Sequence, residues 1–171
     1  MRIRRLIAIG AAGMMAATGV VALAGPAGAG DPTNWPVDAQ VKAKGDPFYS
    51  GIEIFGNFEP GQSRSVFALP GETALFRVRI QNTKFQNNRI EVFEDDSGGG
   101  LIRVLDGKTD ITDEIFGSGY VKRVGPRESF VLKVKVRPDG GGAGIILGSW
   151  SRKFGGGTDF VLMEGGNELV D

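Results

Sequence analysis

Acidic side chains are the main source of chemistry in this chain, because its 171 residues contain neither histidine nor cysteine. Histidine is the usual general base and transition-metal ligand at neutral pH. Its absence, with that of cysteine, excludes Ser-His-Asp and Cys-His nucleophilic sites as well as zinc and copper centres. Carboxylate chemistry, a Ser-Lys pair or a metal ion with oxygen ligands remains.

The acidic residues form three groups that suggest calcium as a ligand: Asp95 and Asp96; Asp106, Asp110, Asp113 and Glu114; Glu164, Glu168 and Asp171. Calcium takes six to eight oxygen ligands, but the spacing here matches no EF-hand loop. Solvated turns and a helix cap explain the same pattern. We therefore expect no metal or other cofactor, and the calcium candidates are Asp106, Asp110 and Asp113.

Paired carboxylates also hydrolyse glycosides when they stand about 5–10 Å apart across a sugar cleft. A chain with 20 acidic residues contains such pairs by chance. The glycine-rich residues 140–144 lack the Gly-Lys-Ser/Thr sequence of a phosphate-binding loop. We expect no enzymatic activity and no catalytic residues.

Exposed aromatic rings are the other potential binding feature, since they stack on sugars or anchor protein partners. Trp35 precedes Pro36 in an extended leader, so we expect it to be exposed. Trp150 points outward if Leu147 faces the core, and becomes a central core residue if the register shifts by one. A buried position is favoured because it is the commoner fate of tryptophan in a domain of this size.

Alternation of apolar and polar residues predicts the elements that position these side chains, and no segment has the pattern of an amphipathic helix. In the clearest strand, residues 73–80, one face is formed by Ala74, Phe76, Val78 and Ile80. Its expected partner is residues 129–137, with a face of Phe130, Leu132, Val134 and Val136. Such strands are typical of an antiparallel sheet covered on one side.

Further strands are predicted at residues 38–44, 89–94, 101–105, 120–124, 144–152 and 158–163, with a hairpin of residues 52–55 around Gly56 and Asn57. Residues 95–100 are predicted as a turn. Residues 110–116 are predicted as one helical turn, capped by Asp110, on the crossover between sheets. Seven to nine short strands with turns about every 8–12 residues predict an all-β fold, an immunoglobulin-like antiparallel β-sandwich.

The N-terminal residues 1–29 predict a secretory signal peptide. Three arginines precede an uncharged stretch from Leu6 to Ala29, and Ala27 and Ala29 form a small-residue cleavage site. A retained anchor is the alternative, because residues 6–25 approach the ~20 needed to cross a bilayer. The alanine- and glycine-rich composition favours cleavage after Ala29, which leaves residues 30–171 as one secreted or cell-envelope domain.

Loss of the three arginines leaves 17 basic against 20 acidic residues, a net charge of −3. Nucleic acids and anionic membranes both require concentrated basic surfaces. We therefore expect no nucleic-acid partner and membrane contact only during export. The lack of disulfides means that the core alone stabilises the domain, and it favours a bacterial origin.

A series of strand-end and turn residues matches a known order: Asn82, Phe93, Val104 to Gly107, Asp110 to Thr112, Gly119, Tyr120 and Val124 to Pro126. With these, residues 70–138 resemble the immunoglobulin-like domains of bacterial exported proteins, and the CARDB-type, cell-adhesion-related group in particular. One departure is the order Gly125-Pro126, where that group has Pro-Gly. The resemblance implies fold and location, and no catalytic residues.

These features predict an exported, non-enzymatic module that binds an extracellular protein or a cell-envelope component. A carbohydrate- or calcium-binding module of the same architecture is the alternative. A small carboxylate-dependent hydrolase ranks third.

Overall fold

The computed structural model describes residues 35–55, 61–69, 71–139 and 141–166. The predicted signal peptide, the Gly56-Asn57 turn and the acidic residues Glu168 and Asp171 lie outside the described residues. Those described form ten strands and one short helix, arranged as two five-stranded sheets packed face to face.

The first sheet has the order β1-β3-β8-β5-β6. Its strands are β1 (Val37–Ala43), β3 (Ala74–Asn82), β5 (Leu101–Asp106), β6 (Thr109–Asp110) and β8 (Ser129–Arg137). The second sheet has the order β2-β10-β9-β4-β7. Its strands are β2 (Ser63–Phe67), β4 (Asn88–Gly98), β7 (Tyr120–Val124), β9 (Ala143–Ser151) and β10 (Gly155–Gly166).

Alternating side chains explain why the two sheets pack together. β3 and β8 pair antiparallel, as predicted, and their apolar faces are buried. The register places Phe76 opposite Val134. The second sheet contributes the facing half of the core, including Ile90, Leu147 and Met163. Each strand therefore turns one face inward and leaves the other for solvent or for binding.

The fold class is confirmed: the chain is an immunoglobulin-like β-sandwich in which nine of the ten described strands have five or more residues. Between the described strands, all pairings are antiparallel except that of β2 with β10, which is parallel. The helix α1 (Thr112–Phe116) lies on the crossover between sheets, as predicted. Its N-cap is Ile111 rather than Asp110, and no described helix is both long and apolar enough to cross a bilayer.

Two local predictions were wrong. Residues 52–55 form a turn instead of a strand, because Gly51 and Glu53 have φ angles of 88° and 56° that interrupt an extended chain. The strand in this region is β2, which the sequence did not indicate. β4 also extends through the predicted turn to Gly98, so the chain reverses at Gly99 and Gly100, where φ is 62° and 66°.

Candidate functional site

The outward face of the second sheet carries a group of apolar side chains, here called the aromatic face. Its members are half-buried and lie on the three neighbouring strands β4, β9 and β10: Phe93, Ile146, Trp150, Phe160 and Leu162. They alternate with core residues such as Val92, Leu147 and Val161, so they point away from the first sheet. This face is apolar where an antiparallel sheet usually presents polar residues to water.

Trp150 lies on this face, so the favoured expectation that it is a central core residue was wrong. Leu147 faces the core, and the register therefore turns Ser149 and Ser151 inward. Buried hydrogen bonds stabilise that register, since Ser151 donates to Asn88 Oδ1 at 2.7 Å and Ser149 to the Asp159 carbonyl at 3.3 Å. Two serines that look like surface residues in the sequence thus decide the position of the tryptophan.

Glu91 fixes the orientation of the indole. Trp150 Nε1 donates to Glu91 Oε2 at 2.8 Å, and Arg152 binds both Glu91 oxygens, at 2.5 Å from Nε and 2.9 Å from the second guanidinium nitrogen. The Arg152 hydrogen bond, assisted by that from Trp150, lowers the pKa of Glu91 although burial opposes this. A bidentate pair holds its members in one geometry, so the ring is presented in a fixed position.

Gly148 allows the aromatic rings to form a continuous surface. A Cβ atom at this position would lie 2.6 Å from Phe93 Cζ and 3.1 Å from Phe160 Cε1, so both rings lie over its backbone. A groove of about 660 Å³ continues the face toward the other end of the strands, with Gly98 and Gly144 in its lining. Its apolar lining includes Phe67, whose exposed fraction is 54%.

Charges are separated along this face. Arg89 and Arg123 are cross-strand neighbours at one end, and Arg152, just after the adjoining strand β9, is paired with Glu91. Asp96 and Glu164 line the groove at the other end. The surface can therefore accept apolar groups in its centre and oppositely charged groups at its two ends.

Trp35 is half-buried, in contrast to the exposed position expected from the sequence. Its ring stacks on Phe55 with centroids 5.8 Å apart and planes 15° from parallel. The Trp35 carbonyl accepts a hydrogen bond from Thr83 Oγ1, and the ring also contacts the backbone at Gly157. Trp35 and Trp150 are not brought together in one site.

The calcium candidates occupy different environments. Asp106 accepts hydrogen bonds from Lys122 and Tyr120, which hold its pKa below the ordinary value although burial opposes them. Asp110 is bound by Thr112 and Arg103, and its pKa falls to about 2. Asp113 is exposed on α1. Among the described residues, no three acidic side chains form a group that could hold a metal ion.

Two buried carboxyl groups, those of Asp38 and Asp159, lie where β1 meets β10. Neither was predicted to be buried. Asp159 is fully buried and accepts hydrogen bonds from the Ala39 amide at 2.5 Å, the Gln62 side chain at 2.5 Å and its neighbouring Phe160 amide at 3.1 Å. Burial, reinforced by the charge of Asp38, raises the pKa of Asp159 to about 8. In the sequence, the one indication of this buried group is that Asp159 interrupts the alternation of apolar residues before Val161.

No family model matches the chain, and no curated protein matches it. Among solved structures, it is similar to the ASH/PapD-like domain 7 of human CEP192, with 13% identity over 64% of this chain and 83% of that one, and a TM-score of 0.41.

A FixG-related protein from Vibrio parahaemolyticus is similar at 14% identity, over 78% of this chain and 98% of that one, with a TM-score of 0.41. A family 123 glycoside hydrolase from Clostridium perfringens is similar at 6% identity, over 78% of this chain and 28% of that one, with a TM-score of 0.41.

Proposed function

We propose that this chain is an exported, non-enzymatic binding module that holds a segment of an extracellular or cell-envelope protein on its aromatic face. The observation that carries the proposal is the set of five apolar side chains on the outward side of the second sheet. A contiguous apolar surface with polar surroundings is typical of a protein-binding site. The groove beside it gives an extended segment room to lie.

The charges favour a protein segment as the ligand. Asp96 and Glu164 suit a basic side chain at the groove, while Arg89 and Arg123 suit an acidic one at the opposite end. Glycines in the groove lining leave space for a backbone to approach closely. An uncharged sugar would make use of neither charged end.

A carbohydrate is the second candidate, because Phe93, Trp150 and Phe160 lie on one face and rings of this kind stack on sugars. The indole N–H, which often hydrogen-bonds a sugar hydroxyl, is already bound to Glu91. This leaves stacking as the main contribution, and we rank the protein segment first.

Export rests on the predicted signal peptide, and the CARDB-type resemblance agrees with a role outside the cytoplasm. Mass spectrometry of the exported protein should find Gly30 at the N-terminus, since Ala27 and Ala29 provide the cleavage site. A form that still carries residues 6–24 would contradict cleavage and leave an anchored protein.

The binding site can be tested with matched variants. A photo-reactive amino acid at Ile146 in the mature chain should cross-link an envelope protein that the same group at Lys133, on the other sheet, does not. Binding of that purified protein is then measured for Leu162→Ser and for Val131→Ser. Val131 is the control because it is apolar and exposed on the outer face of the first sheet.

We expect Leu162→Ser to weaken binding at least about tenfold, or roughly 1.4 kcal/mol, which is typical of a central contact. Val131→Ser should change the affinity less than about twofold. Equal effects of the two variants would place the binding surface elsewhere. Binding to a polysaccharide that depends on Trp150 would instead support the second candidate.

A further inference from the structure

A second cavity, of about 450 Å³, lies beside the first sheet, where β1 begins and β3 ends. Here it is called the Asp38 cavity. Its lining combines carboxylates, cations, neutral polar groups and aromatic rings: Asp38, Glu53, Phe55, Gln81, Thr83, Lys84, Phe85 and Arg127. The volume is in the usual range for small-molecule sites.

Asp38 contributes a buried carboxyl group to the wall of this cavity. The residue is only 3% exposed, and its Oδ2 accepts a hydrogen bond from Gln40 Nε2. Its Oδ1 is buried without a hydrogen bond of ordinary geometry, and the backbone amide of Glu53 also acts on this carboxyl group. Burial of a carboxylate with so little hydrogen bonding is costly, and a cationic group of a ligand beside it would reduce this cost.

The charged groups around the cavity have opposite signs on different segments. Glu53 lies close enough to Asp38 to interact with it electrostatically, so the two create a negative region that the nearby charge of Arg79 partly offsets. Arg127 is on the turn before β8, and its guanidinium stacks on Phe85 with 4.2 Å to the ring centroid. Arg127 forms no ion pair with any residue the structure describes, so its charge is available to a ligand.

The backbone of both segments has an uncommon conformation. Glu53 and Arg127, with φ angles of 56° and 59°, are the two non-glycine residues with positive φ in the described chain. Such conformations cost free energy and concentrate at ligand sites. Both of them line this one cavity.

We infer that the Asp38 cavity binds a small zwitterion of the amino-acid class, with its ammonium group on Asp38 and Glu53 and its carboxylate on Arg127. The ammonium offsets the negative charge of the two carboxylates, and the guanidinium pairs with the carboxylate of the ligand. Phe55 and Phe85 provide apolar contacts for an aromatic or aliphatic side chain. This site lies on a different sheet from the aromatic face, so the two sites can be tested separately.

Three matched probes separate the two charges of the ligand: L-phenylalanine has both, 2-phenylethylamine lacks the carboxylate, and 3-phenylpropionate lacks the amine. Titration calorimetry gives the affinities. Fluorescence of the Trp150→Phe protein gives a second readout, because Trp35 is then the single tryptophan and stacks on the cavity residue Phe55. The variants are Asp38→Asn, Arg127→Asn and, as the control, Asp113→Asn. Asparagine is chosen at position 127 because it tolerates positive φ.

We expect L-phenylalanine to bind with a dissociation constant of about a millimolar or lower and to change the Trp35 emission. The amine alone should bind at least about tenfold more weakly, and the acid alone more weakly still. Asp38→Asn should weaken the binding of L-phenylalanine at least about tenfold. In Arg127→Asn, L-phenylalanine should bind no more tightly than 2-phenylethylamine does. Asp113→Asn should leave the affinity for L-phenylalanine unchanged.

Absence of binding by all three probes would overturn the inference, as would equal affinity in the wild type and Asp38→Asn. Stronger binding of the acid than of the amine would also overturn it. None of these results bears on the aromatic face.

Discussion

Replacement of Asp38 by asparagine should stabilise the domain at neutral pH. Burial raises the pKa of Asp38 from 3.8 to about 6, although a hydrogen bond from Gln40, the Glu53 amide and the charge of Arg79 oppose the rise. The folded state therefore holds this proton more tightly than the unfolded state does. Stability from this group is complete below about pH 4 and is lost as the pH rises through 6.

The size of this effect on stability follows from the rise in the pKa of Asp38 from 3.8 to about 6. At 1.36 kcal/mol per unit, the ionised Asp38 costs the folded protein about 3 kcal/mol above pH 6. In the variant, the asparagine oxygen still accepts from Gln40, and its amide nitrogen takes the position of Oδ1. We expect a gain of about 1 to 3 kcal/mol at pH 7 and little change at pH 4, because the wild-type carboxyl is neutral there.

Urea denaturation of the two proteins at pH 4, 5.5, 7 and 8 measures this difference. Subtracting the curves cancels groups common to both, but Asp159 must be considered because the charge of Asp38 contributes to its raised pKa. Removing that charge lowers the pKa of Asp159. The pH range over which Asp159 changes the stability of the protein, which otherwise extends to about 8, therefore becomes narrower. If the free energies of unfolding of the two proteins change in parallel from pH 4 to pH 8, or if the variant is less stable than wild type at pH 7, the reasoning is refuted. Asp113→Asn is the control.

Four further outcomes are expected. Val134→Asp places a charge at a position with 0% exposure and should cost about 3–5 kcal/mol in chemical denaturation, whereas Lys133→Asp on the exposed side of the same strand should cost about 0.5 or less. EDTA should move the melting midpoint by no more than about one degree, and a drop of several degrees would restore the calcium alternative. Glu91→Gln in a Trp35→Phe background should shift the Trp150 emission to longer wavelength, because the indole loses its charged partner. A chain that ends at Phe154 should lack a cooperative unfolding transition by circular dichroism, since β10 contributes to both the second sheet and the contact with β1.

The strands that could be predicted are those with regular alternation. β3 and β8 have four inward apolar residues each. The alternation of apolar and polar residues alone predicts which side of each strand faces the core, and it favours pairing of the two strands. The turn at residues 51–53 could not be predicted, because positive φ at Glu53 is imposed by the surrounding structure rather than by its residue type. β2 is short and mostly polar, and its parallel partner lies about 100 residues away in the chain.

The candidate sites were only partly visible in the sequence. Trp150 was singled out, but its side of the sheet depends on whether Ser149 and Ser151 find buried partners, which residue type does not reveal. Asp38 alternates with apolar residues as a solvent-facing residue would. Its burial arises because residues 49–55 return along β1, with Ser50 and Val41 exchanging two backbone hydrogen bonds of 2.9 and 2.8 Å. Coverage of β1 by another segment of the chain does not alter the alternation of residue types along β1, so the sequence pattern does not reveal it.

The position of β10 has a consequence for the time at which the protein can fold. β10 lies between β9 and β2 in the second sheet, and its Asp159 binds the backbone of the first strand. Ribosomes add about 5–20 residues per second, so the earlier strands wait several seconds for the one that joins them. We therefore expect the sandwich to close only after β10 has been released from the ribosome.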